Sequence, residues 1–179
     1  MTHAVAVYCG SHPTVPQSYL DLATEVGTGL ATRGWTLVWG GSTAAMMGAV
    51  ADAARQAGAP TIGVIPRPLI NLERADPTAT ELIVVDTMRE RKREMDERAD
   101  AFLALPGGLG TCEELFEVWT SRYLGMHNKP VVLLDPDDHW SGMLTWVKDL
   151  HTRGFVSQTA LDALVITHTP HDALTACAP

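Results

Sequence analysis

At 179 residues with 46% hydrophobic side chains, the chain can bury a substantial core without staples and reads as a single domain spanning 1–179. A formal charge of −8 counts against a general nucleic-acid surface, though it leaves room for one phosphate in one pocket. No apolar run approaches the roughly 20 residues of a membrane helix. The opening MTHAVAVYCGS lacks the charged start and long apolar stretch of a signal peptide. Cys9, Cys112 and Cys177 are too few and too far apart for a disulfide framework, so a reducing cytoplasm is expected.

Residues 3–9 (HAVAVYC) read as a strand, and 17–33 as a helix ended by Gly34. WTLVWGG (35–41) is strand and turn, 43–58 a helix, and TIGVI (61–65) a third strand. Residues 66–80 carry three prolines and read as a surface loop, a candidate lid. ELIVV (81–85), a helix over 87–98, AFLAL (101–105), a helix over 111–124 and VVLLD (131–135) follow. A helix near 140–153, a short helix, LVIT (164–167) and a terminal helix complete the pattern. Short apolar strands alternating with helices indicate an α/β fold: a Rossmann-like, doubly wound parallel sheet with helices on both faces. Such sheets bind ligands beyond the carboxyl ends of their strands, where strand order switches. The segments that follow strands therefore matter most: CGSH, WGGSTAAMMG, DTMRERK and PGGLGTCEE.

Two of these are strand–glycine–helix turns, in which backbone can approach a ligand and free helix amides attract an anion. The dinucleotide pattern G-x-G-x-x-G is absent after the first strand, so a single nucleotide or sugar phosphate is expected rather than NAD. Glu114 has two compatible readings. With Thr111 as N-cap, T-C-E-E is a capping box with Glu114 at N3. The same carboxylate also stands within reach of whatever the glycine turn binds. In the charged stretch 86–100 most side chains read as a solvated helix face. Arg91 differs, because Met88 and Met95 share its helical face, and an inward arginine wants an anionic partner. Lys92 neighbours that stripe and is a candidate assistant. Ser11, after the first strand, lines the pocket or makes a turn. Cys112 reads as a small filler without a histidine partner. The seven histidines show no ligand spacing, so no metal and no cofactor is expected.

With these residues in view, the chain resembles the LOG (Lonely Guy) family of cytokinin riboside 5′-monophosphate phosphoribohydrolases. VYCGS, VWGG, MMGAVADAA, IGVIP, MRERKREM, ADAFLALPGGLGT, NKPVVLL and GFVS occur in the family's order, led by P-G-G-x-G-T-x-x-E at 106–114 and the R-K pair at 91–92. The resemblance implies a Rossmann-type homodimer that releases free base from a nucleoside 5′-monophosphate of the AMP or N6-prenyl-AMP type. It implies Arg91 and Glu114 as the catalytic pair. It also implies Gly107, Gly108, Gly110 and Thr111 as the phosphate turn, with Gly41 and Met47 lining the pocket. The chain departs from the family's first glycine turn, G-G-G-x-x-G-L-M-G, in carrying Ser42 and Ala45 for two glycines. Ser42 could donate its hydroxyl to phosphate. The rival reading is a non-catalytic carrier of a phosphorylated ligand, similar in fold to molybdenum-cofactor carriers, which needs no catalytic pair. A pyridoxal-dependent lysine decarboxylase needs a Schiff-base lysine, and of Lys92, Lys129 and Lys148 only Lys92 is near the expected pocket.

Overall fold

The computed structural model describes residues 2–179. Seven strands form one sheet: β1 (Ala4–Tyr8), β2 (Thr36–Trp39), β3 (Thr61–Pro66), β4 (Glu81–Val85), β5 (Ala101–Ala104), β6 (Val131–Leu134) and β7 (Val165–Thr167). Their spatial order is β4-β3-β2-β1-β5-β6-β7, and every pairing is parallel. Seven helices pack around them: α1 (Gln17–Thr32), α2 (Ala45–Gln56), α3 (Met88–Arg98), α4 (Leu109–Tyr123), α5 (Ser141–Thr152), α6 (Gln158–Asp162) and, after the last strand, α7 (Pro170–Ala176). The doubly wound α/β architecture is the expected one.

The alternation of β1 explains why both faces are covered. Val5 and Val7 point into one apolar cluster with residues of α1, α2 and α7. Ala4, Ala6 and Tyr8 point into the opposite cluster with Met95 of α3, Leu115, Val118 and Trp119 of α4, and Val147 of α5. Burial on both sides is what the continuous apolar strands require. The order reverses at β1: the chain winds outward through β2, β3 and β4, then returns to lay β5 against the other side of β1. The carboxyl ends of β2, β1 and β5 thus lie side by side at the switch point, where an open α/β sheet forms its crevice.

Residues 66–80 are not a free loop. A short 3₁₀ turn at Arg67–Leu69 leads to an antiparallel bridge between Ser42 and Ala75. Thr43 N–H donates to Arg74 O (2.9 Å), and Asp76 N–H donates to Gly41 O (2.8 Å). The buried Asp76 carboxylate pairs with Arg55 (2.9 Å) and accepts from Thr78. The expected lid is a strap tied to the end of β2.

Candidate active site

At the switch point lies a cavity of about 470 Å³. Its wall includes Cys9–His12 after β1, Met46 and Met47 of α2, Glu73 of the strap, Met88 and Arg91 of α3, Pro106–Thr111 after β5, and Glu113 and Glu114 of α4. Three of the segments singled out in the sequence, CGSH, DTMRERK and PGGLGTCEE, therefore meet in one place, joined by the MM of the fourth.

Arg91 reaches the cavity because α3 starts on a firm cap. Thr87 accepts from Glu90 N–H, and the Glu90 carboxylate accepts from the N–H groups of Asp86 and Thr87. This fixes the helix, and Met95 anchors the same face in the core. Arg91 is only 4% exposed, and its Nη2 donates to Gly40 O (2.7 Å) and to Glu73 Oε2 (3.2 Å). A Cβ on Gly40 would overlap that nitrogen, so the guanidinium can lie on the backbone only because residue 40 is glycine. Arg91 Nε is buried with no hydrogen-bond partner among the described residues. A buried unsatisfied donor is costly, and beside a cavity it is a place for a ligand acceptor.

The glycine turn after β5 departs from the expected cap. α4 begins at Leu109, two residues early, with Gly108 as N-cap and no side-chain cap bond. Thr111 therefore stands at N3 and cannot cap the helix. Its buried side chain instead packs over Gly107, where a Cβ would overlap Thr111 Oγ1. Glu114 falls at the sixth helical position, beyond reach of the N-cap N–H, so the T-C-E-E capping box does not form. The N–H groups of Leu109, Gly110 and Thr111 have no backbone partner among the described residues and open on the cavity. Leu109 at N1 is 91% exposed.

Freed from capping, Glu114 is partly buried on the cavity wall. Burial pushes its carboxyl from 4.5 up to about 7, with Arg91 opposing the rise and Glu113 and Glu73 adding to it. A carboxyl poised near neutrality in a cleft beside a guanidinium can exchange a proton at physiological pH. Cys9 also borders the cavity, but burial raises its thiol far above neutrality. Cys112, on α4, is raised by burial as well.

Of the residues expected from sequence, Arg91, Glu114, Ser11, Met47, Met88, Gly107, Gly108, Gly110 and Thr111 border the cavity. Gly41, Ser42 and Lys92 do not. Gly41 (φ +70°) is off the cavity wall, and a Cβ there would crowd Leu82, Val64 and Ile65 at 3.2–3.3 Å. Ser42 is fully buried beneath the strap; its hydroxyl donates to Glu73 O and accepts from Ala44 N–H (3.0 Å), leaving none for a phosphate. Lys92 is one residue, about 100° of helix, round from Arg91. That turn carries it into the α3–α4 interface, where it pairs with Glu113 and Glu117. Burial alone would lower the Lys92 pKa, but hydrogen bonds to those two carboxylates outweigh it and raise the value.

Sequence reasoning missed Glu73, Gly40, Tyr19 and His139. Glu73 sits in a segment without periodicity. His139 lies with Nε2 3.2 Å from Gly107 N and 3.0 Å from Gly107 O, edge-on to Tyr19 and Trp140. Only Gly40 stood in a motif already marked by its glycines. Among the described residues no group of His, Cys, Asp and Glu is arranged to hold a metal, and no helix is long and apolar enough to cross a membrane.

Comparison with known proteins agrees with this geometry. The chain is 54% identical over 175 residues to the cytokinin riboside 5′-monophosphate phosphoribohydrolase of Mycobacterium tuberculosis, covering 98% of this chain and 93% of that one. It is 41% identical over 161 residues to the Arabidopsis thaliana enzyme LOG3, covering 90% and 75%. The chain belongs to the LOG family of phosphoribohydrolases. A family model described as "possible lysine decarboxylase" matches residues 47–177. The LOG-type cavity does not fit pyridoxal chemistry: no lysine is on its described wall, Lys92 is ion-paired outside it, and Lys129 pairs with Asp96. Among solved structures, the molybdenum cofactor binding protein from Rippkaea orientalis superposes with a TM-score of 0.73 at 22% identity, covering 98% of this chain and 94% of that one. The molybdenum cofactor carrier protein from Chlamydomonas reinhardtii gives 0.73 at 21%, covering 98% and 96%. These likenesses establish the Rossmann-like fold alone.

Proposed function

We propose that this protein, with residues 1–179 acting as one nucleotide-binding domain, hydrolyses the N-glycosidic bond of adenosine 5′-monophosphates, N6-prenylated ones included. The products are the free base, a cytokinin when prenylated, and ribose 5-phosphate. The observation that carries this reading is the convergence of Arg91, Glu114 and the free amides of α4 on one cavity. The phosphate docks on the N–H groups of Leu109, Gly110 and Thr111, where the helix dipole favours an anion. Arg91 supplies charge-assisted donors through Nε and Nη1 to phosphate or ribose oxygens and fixes the sugar. Breaking the C1′–N bond sends its electron pair to the base and leaves positive charge on C1′ and the ring oxygen. The Glu114 carboxylate stabilises that charge and takes a proton from the water that attacks C1′, as carboxylates do in glycoside hydrolysis. The departing base takes up a proton from solvent and Glu114 returns its own to solvent, so that neutral base and ribose 5-phosphate result. Met47 and Met88 supply apolar wall on the same cavity.

We infer a cytoplasmic homodimer. Tyr123, Leu124 and Met126, at and just beyond the carboxyl end of α4, are exposed, which supports a partner surface there. The test of activity is a panel of nucleoside 5′-monophosphates, N6-isopentenyl-AMP among them, beside the unphosphorylated nucleosides, reading free base and ribose 5-phosphate. Release from monophosphates alone is expected. Tight binding of a phosphorylated ligand without release would instead support a carrier.

A further inference from the structure

Part of the cavity wall has no role in bond cleavage: His12, Val15, Pro16 and Tyr19, which follow β1, and His139 between β6 and α5. The chain places His139 with care. The buried Asp135 carboxylate, just after β6, accepts from Trp140 N–H (3.1 Å), and His168 bonds to Asp135 O (2.7 Å). Asp138, immediately before the histidine, holds φ +61°, a left-handed conformation that costs a non-glycine residue energy. Asp137 accepts from the Tyr19 hydroxyl of α1 (2.7 Å). The Tyr19 and Trp140 rings stand T-shaped to the imidazole, with centroids 5.8 and 4.7 Å away. So held, His139 Nε2 lies 3.2 Å from Gly107 N and 3.0 Å from Gly107 O.

One ring nitrogen cannot serve both backbone groups at once. Without a proton, Nε2 accepts from Gly107 N–H; carrying one, it donates to Gly107 O. Neither group has a backbone partner among the described residues, so the tautomer decides which of them is left open. Gly107 is also the pivot of the phosphate turn. The Pro106 carbonyl before it accepts from Gly10 N–H (3.1 Å), and the buried Thr111 side chain packs over it. Holding Gly107 therefore sets where the N–H groups of Leu109, Gly110 and Thr111 are aimed. The accepting tautomer withdraws Gly107 N–H from the cavity wall. The donating tautomer leaves it as one more donor beside those three, and an anion favours the arrangement that presents the most N–H groups.

We propose that His139 is a positioning residue of the phosphate site: with phosphate bound, its Nε2–H donates to Gly107 O, holds the turn and leaves Gly107 N–H to the phosphate. In the empty site the proton lies on Nδ1, and Nε2 takes the Gly107 N–H itself. The ring carries one proton in both forms, exchanged between its nitrogens through solvent. The proposal rests on the phosphoribohydrolase reading for the docking of phosphate on α4. One hydrogen bond of this kind corresponds to about 3- to 10-fold in affinity.

The experiment measures KM and kcat for AMP, and calorimetric Kd for ribose 5-phosphate and for ribose, in the native chain, His139→Phe and His139→Gln. Phenylalanine keeps a ring against Tyr19 and Trp140 but has no Nε2, so packing survives and the hydrogen bond does not. Glutamine offers both a donor and an acceptor. His139→Phe is expected to raise KM for AMP and Kd for ribose 5-phosphate about 3- to 10-fold, with kcat within about twofold of native. His139→Gln is expected to recover most of that loss. Ring-nitrogen NMR shifts of the native protein are expected to show His139 Nε2 unprotonated alone and protonated with ribose 5-phosphate. Native values in His139→Phe, a fall in kcat as large as the rise in KM, or a glutamine variant no better than the phenylalanine one overturn the proposal. So does a His139 ring whose Nε2 keeps the same protonation on binding. Absence of base release from any nucleotide, with ribose 5-phosphate weakened in His139→Phe and restored in His139→Gln, would keep the proposal and sink the phosphoribohydrolase reading instead. Native binding of ribose 5-phosphate no tighter than that of ribose overturns it outright.

Discussion

Replacing Glu114 by glutamine should stabilise the protein at alkaline pH while removing its activity. In the folded state burial holds this carboxyl at about 7 against 4.5 for the free group. Below pH 4.5 it is protonated in both folded and unfolded chains and contributes no difference. Between the two values the unfolded chain ionises first, so stability is lost as pH rises through the folded value, and the loss levels off above it. The difference of roughly 2.5 units, at 1.36 kcal/mol each, sets the full penalty at about 3 kcal/mol. Glutamine is never charged and has no such penalty, and the capping role that could have required a carboxylate is absent. Arg91 keeps Gly40 O and Glu73 as partners in the variant. Thermal melts of native and Glu114→Gln protein from pH 4 to 8.5 should show near-equal Tm at the acid end. At the alkaline end the variant should melt about 8 °C higher, at roughly 2–4 °C per kcal/mol for a chain of this size. A difference in Tm that does not change with pH, or a variant less stable at pH 8, would refute the account of Glu114 as a desolvated carboxylate held for chemistry. Stability bought at the cost of activity is the usual signature of a functional group in an unfavourable setting.

Two further predictions follow from the glycine turns. A Cβ at Gly110 meets nothing in the protein, and the residue sits in the first turn of α4 on the cavity wall; Gly110→Ala should therefore fold with unchanged or slightly higher Tm but raise KM for monophosphates at least about tenfold, as read by melts and initial rates. Ala45 holds φ +44° at the start of α2, where a side chain is strained; Ala45→Gly should stabilise by about 0.5–1 kcal/mol in urea titration with an unchanged m-value, and a loss of stability would mean that the Cβ packing outweighs the strain.

The order of elements was legible because strand and helix periods are strong local signals, and β1 shows why. Its unbroken apolar run could only be buried on both faces, which already implies helices above and below a parallel sheet. Caps were less legible. T-x-x-E occurs at both Thr87 and Thr111, and only Thr87 caps, because Gly108 and Gly110 let α4 begin two residues early and leave Thr111 to pack on Gly107. Helical spacing correctly turned Arg91 inward, and the same spacing, applied one residue on, should have turned Lys92 away.

What no local pattern could carry was the strap. Glu73 reaches the cavity through contacts between Gly41–Thr43 and Arg74–Asp76, segments some thirty residues apart whose pairing exists only once β2 and β3 are in register. The two positions at which the first glycine turn departs from the family pattern then acquire different meanings. Ala45 is a strained backbone position that glycine would relieve. Ser42 is the post on which the strap carrying Glu73 is hung, since its hydroxyl spans the Glu73 carbonyl and the Ala44 amide. A glycine at 42 would leave that buried carbonyl without the bond, so the departure from the pattern and the third carboxylate of the site are one structural feature, and a change at either should be felt at Arg91.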